Sequence, residues 1–230
     1  MKNKMTEKIY FHSDWHFMHK NVLNLCNRRF LNIQEHDEYL IKCINETVTN
    51  SDRLYVLGDL GYHKDLEGLR NVLKRINGNK HIILGNHDSV QHLTQLKREG
   101  VICDVKEFKT VQKGNKSIVC CHYPLKEWNG YYRGYYHVFG HVHGTIPQYD
   151  RCLDVGVDNI GYYPMEFDDV IKTIDKGNLH GRISKEDEMI KEFFPGLSTH
   201  YFVGLCTGHP KIRQVIKEVL EEGSKGYNKD

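Results

Sequence analysis

The sequence has few features of a disulfide-stabilised secreted domain or of a membrane protein. Its seven cysteines are an odd number and contain no C-x-x-C pair, which argues against a disulfide framework and against a thiolate zinc site. No apolar run approaches the roughly 20 residues of a membrane span, and residues 1–6 are too short and too polar for a signal peptide. We therefore expect a soluble, cytoplasmic protein without a membrane partner.

A strong excess of one charge is also lacking. Lys and Arg together number 32, against 30 for Asp and Glu, so the chain does not carry the global basic field typical of a nucleic-acid-binding protein. This balance counts against a nucleic-acid partner without excluding one, because local basic patches can still form. The length of 230 residues fits one large domain, or one domain with an extension. Histidine is abundant instead, with 15 residues.

The stretch at residues 82–88, Ile-Ile-Leu-Gly-Asn-His-Asp, is a short apolar run that ends in a glycine and three polar side chains. The apolar residues predict a buried strand, and the glycine lets the backbone turn and approach a ligand closely. The polar side chains would then lie at the carboxyl end of a sheet strand, where open α/β sheets bind their ligands. Taken alone, the stretch is equally compatible with a polar turn.

The same arrangement recurs four more times along the chain. Predicted strands at 8–13, 53–57, 117–121 and 137–139 each lead into polar side chains. Residues i and i+2 of an extended chain point to the same side, so Asp14 and His16 can bind one ion together, and the pattern repeats at His141 and His143. The candidate ligands at the five strand ends are Asp14, His16, Asp59, Asn86, His122, His141 and His143.

This ligand set mixes carboxylate, imidazole and amide groups and contains no thiolate. Such a set suits borderline to hard divalent ions, with Mn²⁺ expected first and Fe²⁺, Zn²⁺ or Ni²⁺ as alternatives. Seven ligands are too many for one tetrahedral site and about right for two ions that share Asp59. The residues therefore predict a dinuclear metal centre.

The five segments, in this order, resemble the signature of the calcineurin-like metallophosphoesterase superfamily: D-x-H, G-D, G-N-H-D/E, H and G-H-x-H. The resemblance covers about residues 8–175. Within the superfamily, Asp14-Trp15-His16-Phe17-Met18-His19-Lys20-Asn21 and Asp154-Val155-Gly156-Val157-Asp158 resemble the small bacterial and phage phosphoesterases. The resemblance implies an α/β fold, a four-layer αββα sandwich of two packed sheets flanked by helices, formed by residues 1–175.

The resemblance also implies roles for the site residues. Asp14, His16 and His143 would hold the first metal, Asn86, His122 and His141 the second, and Asp59 would bridge both. A hydroxide between the metals would attack the phosphorus in line. His87 would stabilise or protonate the leaving oxygen, or else make only a supporting hydrogen bond, and Asp88 would orient the His87 ring.

Departures from the motifs of one subfamily narrow the range of expected substrates. The protein Ser/Thr phosphatases carry G-D-x-V-D-R-G and R-G-N-H-E, and the arginines of those motifs are missing here. This absence favours a phosphodiester, such as a nucleotide or cyclic nucleotide, over a protein phosphomonoester. Candidate substrate contacts are His19, Asn21, Tyr62 and Arg133, although Tyr and Gly clusters such as the one around Arg133 are more often loop packing. The alternatives are a DNA or RNA nuclease of the same superfamily and a non-catalytic binding scaffold.

The remaining pattern predicts the elements between these segments. Helices are expected at 35–48, 66–76, 89–98 and 166–174, strands at 101–103 and 152–157, and a hairpin of strands 105–111 and 117–121. Residues 128–136 should form an ordered aromatic loop. Residues 176–230 are expected to be a mostly helical extension, with helices at 184–194 and 210–222, that caps the site, mediates homo-oligomerisation or packs on the sandwich.

Overall fold

The computed structural model describes residues 7–62, 64–147 and 149–176. The expected C-terminal extension lies outside these residues. Nine strands occur in the described ranges: β1 Ile9–His12, β2 Arg53–Val56, β3 Asn79–Ile83, β4 Asp104–Lys106, β5 Phe108–Lys113, β6 Lys116–Cys121, β7 Tyr136–Phe139, β8 Cys152–Asp154 and β9 Met165–Glu166.

The strands form two sheets. The first has the order β4-β3-β2-β1-β9, in which β1 to β4 are parallel and β9 pairs antiparallel with β1. The second has the order β5-β6-β7-β8, with an antiparallel β5–β6 hairpin followed by parallel pairs. The predicted hairpin is present, but the bounds predicted for its first strand, 105–111, are wrong: residues 105 and 106 belong to β4 of the first sheet, and the hairpin strand is Phe108–Lys113. Because both sheets are largely parallel, each gathers several strand ends at one edge.

The predicted strand at 101–103 is wrong. The strand in this region, β4, begins at Asp104, and the residues before it are bends in the connection from the preceding helix. Val101 and Ile102 are buried in the core beneath the helices, so their apolar character serves packing rather than strand pairing. A run of three apolar residues cannot distinguish these two uses.

The helices are α1 Val22–Leu25, α2 Ile33–Thr47, α3 Leu66–Arg75, α4 Val90–Arg98, α5 Val157–Ile160 and α6 Phe167–Asp175. The three long helices after β1, β2 and β3 are capped by polar side chains: Asn32, Asp65 and Ser89 each accept a hydrogen bond from a backbone N–H three residues later. The Asn32 cap explains why α2 begins two residues before the expected start. The short helix α1 and the strand β9 were not predicted. The strand predicted at 152–157 ends at Asp154 as β8, and Val157 begins the short helix α5.

The two sheets pack face to face. Phe11 and Leu57 from the first sheet and its loops share one core with Ile118, Val138 and Leu153 of the second. Helices α2, α3 and α4 cover the outer face of the first sheet, and α6 contributes Val170, Ile171 and Ile174 to the core between the sheets. The mixed α/β fold of two packed sheets is therefore confirmed.

The outer face of the second sheet has a different cover in the described part of the chain. Val119, Phe139 and Cys152 of this face pack against Trp128, with Tyr131, Tyr135 and Tyr149 around them. The segment contains a short 3-10 turn, Tyr131–Arg133, between two glycines in the left-handed region. The expected ordered aromatic loop is present, and it acts as a covering layer. No helix within the described ranges is long and apolar enough to cross a membrane.

Candidate metal centre

The loops that follow the parallel strands meet at one edge of the sandwich. The loops after β1 and β2 run side by side, because the backbone N–H groups of Asp14 and His16 donate to the carbonyls of Gly58 (3.1 Å) and Asp59 (2.9 Å). The two sheets are joined here as well: the His141 N–H lies 3.0 and 3.1 Å from the two carboxylate oxygens of Asp14. The five predicted strand ends are thus brought together.

The predicted ligands form two connected groups. One ligand atom from each of Asp14, His16 and His143 lies within 4.8 Å of the others. Asn86 Oδ1 lies 2.9 Å from both His122 Nε2 and His141 Nδ1, so these three polar atoms converge on one point. Nitrogen and oxygen atoms that converge in this way offer the ligand geometry that a cation requires.

Asp59 lies between the two groups. Its Oδ2 atom is 3.7 Å from His16 Nε2 in the first group and 3.6 Å from His122 Nε2 in the second. The side chain is 1 % exposed, and its other oxygen accepts a hydrogen bond of 2.9 Å from the His87 N–H. One carboxylate oxygen is therefore directed at both groups.

Two of the imidazoles are held with a defined nitrogen towards the centre. His122 Nδ1 donates to the Leu57 carbonyl at 2.6 Å, and His143 Nδ1 donates to Asp158 Oδ2 at 2.6 Å. A histidine whose Nδ1 is engaged in this way presents Nε2 to a metal. Burial opposes protonation of His143, but the hydrogen bonds to Asp158 and Cys26 and the charges of Asp14 and Asp158 together outweigh burial and raise the pKa of His143 to about 11. A cation must therefore displace a proton there.

The interior of the site fits a cation. His16 Nε2 is buried and has no hydrogen-bond partner among the described residues, and such an orphaned atom is costly. Burial, helped by Arg28, lowers the pKa of His16 to about 2, so the ring is a neutral donor. Burial also raises the pKa of Asp14 well above its usual range. A bound divalent ion would satisfy the free nitrogen and favour the ionised carboxylate.

The backbone of the ligands is unusual. Five of the seven predicted ligands have φ in the left-handed region, between 49° and 69°: Asp14, His16, Asp59, His141 and His143. Residues with a Cβ avoid this region, at a cost of about 1–3 kcal/mol each, and exceptions concentrate at functional sites. The concentration of these residues at one edge therefore marks the site independently of its side-chain chemistry.

Two glycines of the motifs are required by close approach. A Cβ atom on Gly85 would collide with the Asp59 carboxylate, and one on Gly140 would collide with Ser13 Oγ and the Asp14 carboxylate. Since each glycine lies against a predicted ligand carboxylate, the glycines allow the loops to pack around the charged groups.

His87 and Asp88 do not interact as the sequence suggested. The His87 ring centroid is 5.5 Å from that of His16, edge-on, at the exposed rim of the centre. The Asp88 carboxylate, expected on the His87 ring, instead accepts backbone N–H groups of Gly85 (2.9 Å), Asp59 (3.0 Å) and Leu60 (3.0 Å). Asp88 therefore ties the loop after β2 to the loop after β3.

The structure divides the four candidate substrate contacts. The His19 ring lies 5.5 Å from the His16 ring and 6.2 Å from that of Tyr62, which is 38 % exposed, so both reach the site. Asn21 is exposed at the start of α1. Arg133 contacts Asn129 (3.2 Å) and the ring of Tyr135 (4.9 Å) in the aromatic segment. These two contacts of Arg133 are typical of loop packing.

Sequence reasoning missed several residues beside the centre. Tyr123, 43 % exposed, lies edge-on against His141 with ring centroids 4.8 Å apart. Cys26 Sγ lies 3.4 Å from His143 Nδ1. Asp158 ends the D-V-G-V-D segment, which was a usable signal, whereas its partner Arg28 stood in no motif.

The fold and the site define a mixed α/β protein with a candidate dinuclear metal centre at the edge where two sheets meet. No protein-family model matches the chain. The chain is 30 % identical over 179 residues to the uncharacterized protein MJ1445 of Methanocaldococcus jannaschii, an alignment that covers 75 % of this chain and 94 % of that protein. It belongs to the same family as MJ1445.

A solved structure shares this fold. The protein of unknown function AQ665 from Aquifex aeolicus matches with a TM-score of 0.57 and 24 % identity, over 74 % of this chain and 99 % of that one. Looser likenesses, with TM-scores of 0.34 and 0.33, are to YfcE, a phosphoesterase from E. coli (19 % identity, 65 % and 78 % coverage), and to a Vps29 variant from Entamoeba histolytica (15 % identity, 59 % and 64 % coverage).

Proposed function

We propose that this protein is a metal-dependent phosphoesterase that uses two divalent ions to hydrolyse a phosphodiester. The observation that carries the proposal is the position of Asp59 Oδ2, 3.7 Å from His16 and 3.6 Å from His122, between two groups of converging donors. Asp14, His16 and His143 would hold one ion, Asn86, His122 and His141 the other, and Asp59 would bridge them.

Two ions held in this way would supply a Lewis acid for the phosphoryl oxygens and would lower the pKa of a water molecule, to about 7 in favourable zinc sites. The nitrogen and oxygen donors of the seven ligands suit Mn²⁺, with Fe²⁺, Zn²⁺ or Ni²⁺ as alternatives. The chain prepares for this chemistry by holding Nε2 of His122 towards the centre through the Leu57 carbonyl.

His87 is the residue proposed to act on the leaving group. Its main chain is fixed because its N–H donates to Asp59 Oδ1, while its ring lies exposed at the rim, 5.5 Å from the His16 ring. An imidazole in this position can protonate or stabilise the leaving oxygen, a contribution typically worth about 10²–10⁴-fold.

The groups at the mouth of the site support a diester that carries an aromatic base. Tyr62 lies beside His19 on the side of the first ligand group, and Tyr123 lies against His141 on the side of the second. Both tyrosine rings are exposed. A nucleobase can stack on such rings, and each stacked base contributes about 1–3 kcal/mol of binding free energy. A diester bears a single negative charge. The substrate class proposed is therefore a nucleotide or cyclic nucleotide.

The test compares a chromogenic phosphodiester, bis(p-nitrophenyl) phosphate, with the matching monoester on chelator-stripped protein before and after Mn²⁺ is restored. We expect diester hydrolysis that depends on metal. His87→Ala should still bind two ions per chain and lose about 10²–10⁴-fold in turnover.

Several outcomes would contradict parts of this proposal. Turnover without metal would reject the metal mechanism, and a preference for the monoester would reject the diester assignment. Unchanged turnover of metal-replete His87→Ala would reject the role of His87. No turnover of either substrate by protein with two bound ions would favour the binding-scaffold alternative. Cleavage of an oligonucleotide in preference to small diesters would favour the nuclease alternative.

A further inference from the structure

A buried ion pair lies directly behind one of the proposed ligands. The Asp158 carboxylate, which accepts from His143 Nδ1 at 2.6 Å, also accepts Arg28 Nε (2.9 Å) and Nη2 (2.7 Å). Arg28 is 4 % exposed as a residue, and the side chain of Asp158 is 10 % exposed. Paired N–H bonds from a guanidinium to a carboxylate fix the orientation of both groups.

The same guanidinium also holds the loop that carries the other two ligands of the first group. Arg28 Nη2 donates to the Asp14 carbonyl at 2.7 Å, and Nη1 donates to the Trp15 carbonyl at 3.0 Å. Asp14 and His16 have φ angles of 59° and 52°, so this loop needs support from its surroundings to keep its conformation. Arg28 therefore contacts the backbone beside two ligands and reaches the third, His143, through Asp158.

The second group lacks a corresponding ion pair in the described part of the chain. His122 Nδ1 donates to a neutral acceptor, the Leu57 carbonyl, and His141 Nδ1 lies 2.9 Å from the Asn86 amide oxygen. A carboxylate behind a histidine makes the imidazole a stronger donor than a carbonyl does. The first group also has its own carboxylate, Asp14, where the second has the amide of Asn86.

We propose that Asp158 and Arg28 are positioning residues that make the first group the tighter of the two metal sites, so that this site fills first. The inference rests on the proposed function, because it assumes that both groups bind ions. Removal of a partner behind a metal-bound histidine typically lowers metal affinity about 10–100-fold. The loss should fall on one site only.

The experiment titrates the metal-free full chain with Mn²⁺ in a calorimeter, which reports affinity independently of activity. Wild type should bind two ions in a tight and a weak step. Asp158→Asn should weaken the tight step about 10–100-fold and change the weak step less than 3-fold. Asn86→Ala should weaken only the weak step, which assigns the two steps to their groups.

A matched control is available elsewhere in the chain. Asp104 lies on β4 and pairs with His81, Oδ1 to Nδ1, at 2.7 Å. Asp104→Asn therefore makes the same chemical change to a histidine–carboxylate pair outside the proposed centre. Both binding steps should remain as in wild type.

Asp158→Asn could prevent folding, because it leaves the buried Arg28 without its counter-charge. The double variant Arg28→Met with Asp158→Asn removes both charges of this pair and would then be titrated instead. Selective loss of the tight step in either variant supports the proposal. An unchanged tight step, equal weakening of both steps, or weakening of the weak step alone overturns it. A wild-type protein that binds fewer than two ions rejects the proposed dinuclear function itself, a result that these variants cannot mimic.

Discussion

The main effect of removing the Asp88 carboxylate should be to destabilise the folded protein. Three backbone N–H groups, from Gly85, Asp59 and Leu60, depend on this carboxylate at 2.9–3.0 Å. An orphaned buried N–H costs about 1–3 kcal/mol, so three would cost roughly 3–9 kcal/mol. Water that enters the vacated space recovers part of this sum. We expect Asp88→Ala to lower the free energy of unfolding by about 3 kcal/mol, a large share of the 5–15 kcal/mol typical of a domain.

Asp88→Asn should be milder for two reasons. The amide oxygen can still accept hydrogen bonds from part of the set. Burial also raises the pKa of Asp88 to about 6, so the ionised carboxylate carries a desolvation penalty that the neutral amide avoids. We expect a loss of about 1–2 kcal/mol for this variant.

Urea unfolding of the metal-free protein at pH 8 measures both losses. Fluorescence can follow the transition, because the two tryptophans, Trp15 and Trp128, are both buried. Asp168→Ala is the control: the Asp168 side chain is 53 % exposed in a surface ion pair with Lys113, and its removal should change stability by less than about 1 kcal/mol.

One result would refute this account of Asp88. If Asp88→Ala unfolds like wild type while its metal-replete turnover falls, the carboxylate acts on His87, as the adjacent positions in the sequence suggested. If stability and the retention of both ions fall together, Asp88 anchors the loops that carry Asp59 and Asn86.

Two further predictions concern acid stability and the first ligand group. Burial lowers the pKa of His137 to about 4. The unfolded chain, with an ordinary value of about 6.5, therefore takes up a proton between pH 6.5 and 4 that the folded state does not, and stability should fall by about 2 kcal/mol from pH 8 to pH 5 because of this group. Urea titrations at the two pH values should show that His137→Gln lacks this loss of stability, whereas His92→Gln keeps it. An identical pH dependence of stability in wild type and both variants would contradict the prediction. Gly140→Ala should weaken Mn²⁺ binding at the first group at least 10-fold in equilibrium dialysis, because the added methyl group collides with the Asp14 carboxylate. Gly114→Ala, where nothing lies within 4 Å, should bind as wild type does, and equal binding by the two variants would refute the argument.

The parts of the fold that the sequence predicted are those determined locally. A parallel βα unit is encoded in consecutive residues, as an apolar run, a glycine, polar residues and then a capped helix. The strands β1 to β3 and the long helices α2 to α4 were therefore placed to within a few residues, although the short helix α1 was not predicted. The convergence of their polar ends followed from the geometry of parallel sheets. The short strand β9 was not predicted, because Met165 and Glu166 form a strand only by pairing with β1, which is distant in the sequence.

The parts of the site that escaped prediction depend on distant pairs. Arg28 and Asp158 are 130 positions apart, and neither shows in sequence which group it will meet. Asp88 shows the opposite error: it stands next to His87, so an interaction between them was the natural expectation, yet the turn carries the carboxylate back to the amides of Gly85, Asp59 and Leu60. Adjacent positions in a tight turn often point to different partners.

The backbone supports a bound metal centre independently of the sequence motifs. A surface that binds a partner without metal ions needs exposed side chains in a stable conformation, and ligand residues in the left-handed region would destabilise it without benefit. Here Asp14, His16, Asp59, His141 and His143 all have φ between 49° and 69°, and His16 Nε2 is buried without a hydrogen-bond partner among the described residues. At about 1–3 kcal/mol for each strained residue, selection would relax such features unless something that binds the folded state offsets them. A pair of divalent ions would do so by mass action, so the backbone supports the proposed metal centre on which the enzymatic function depends.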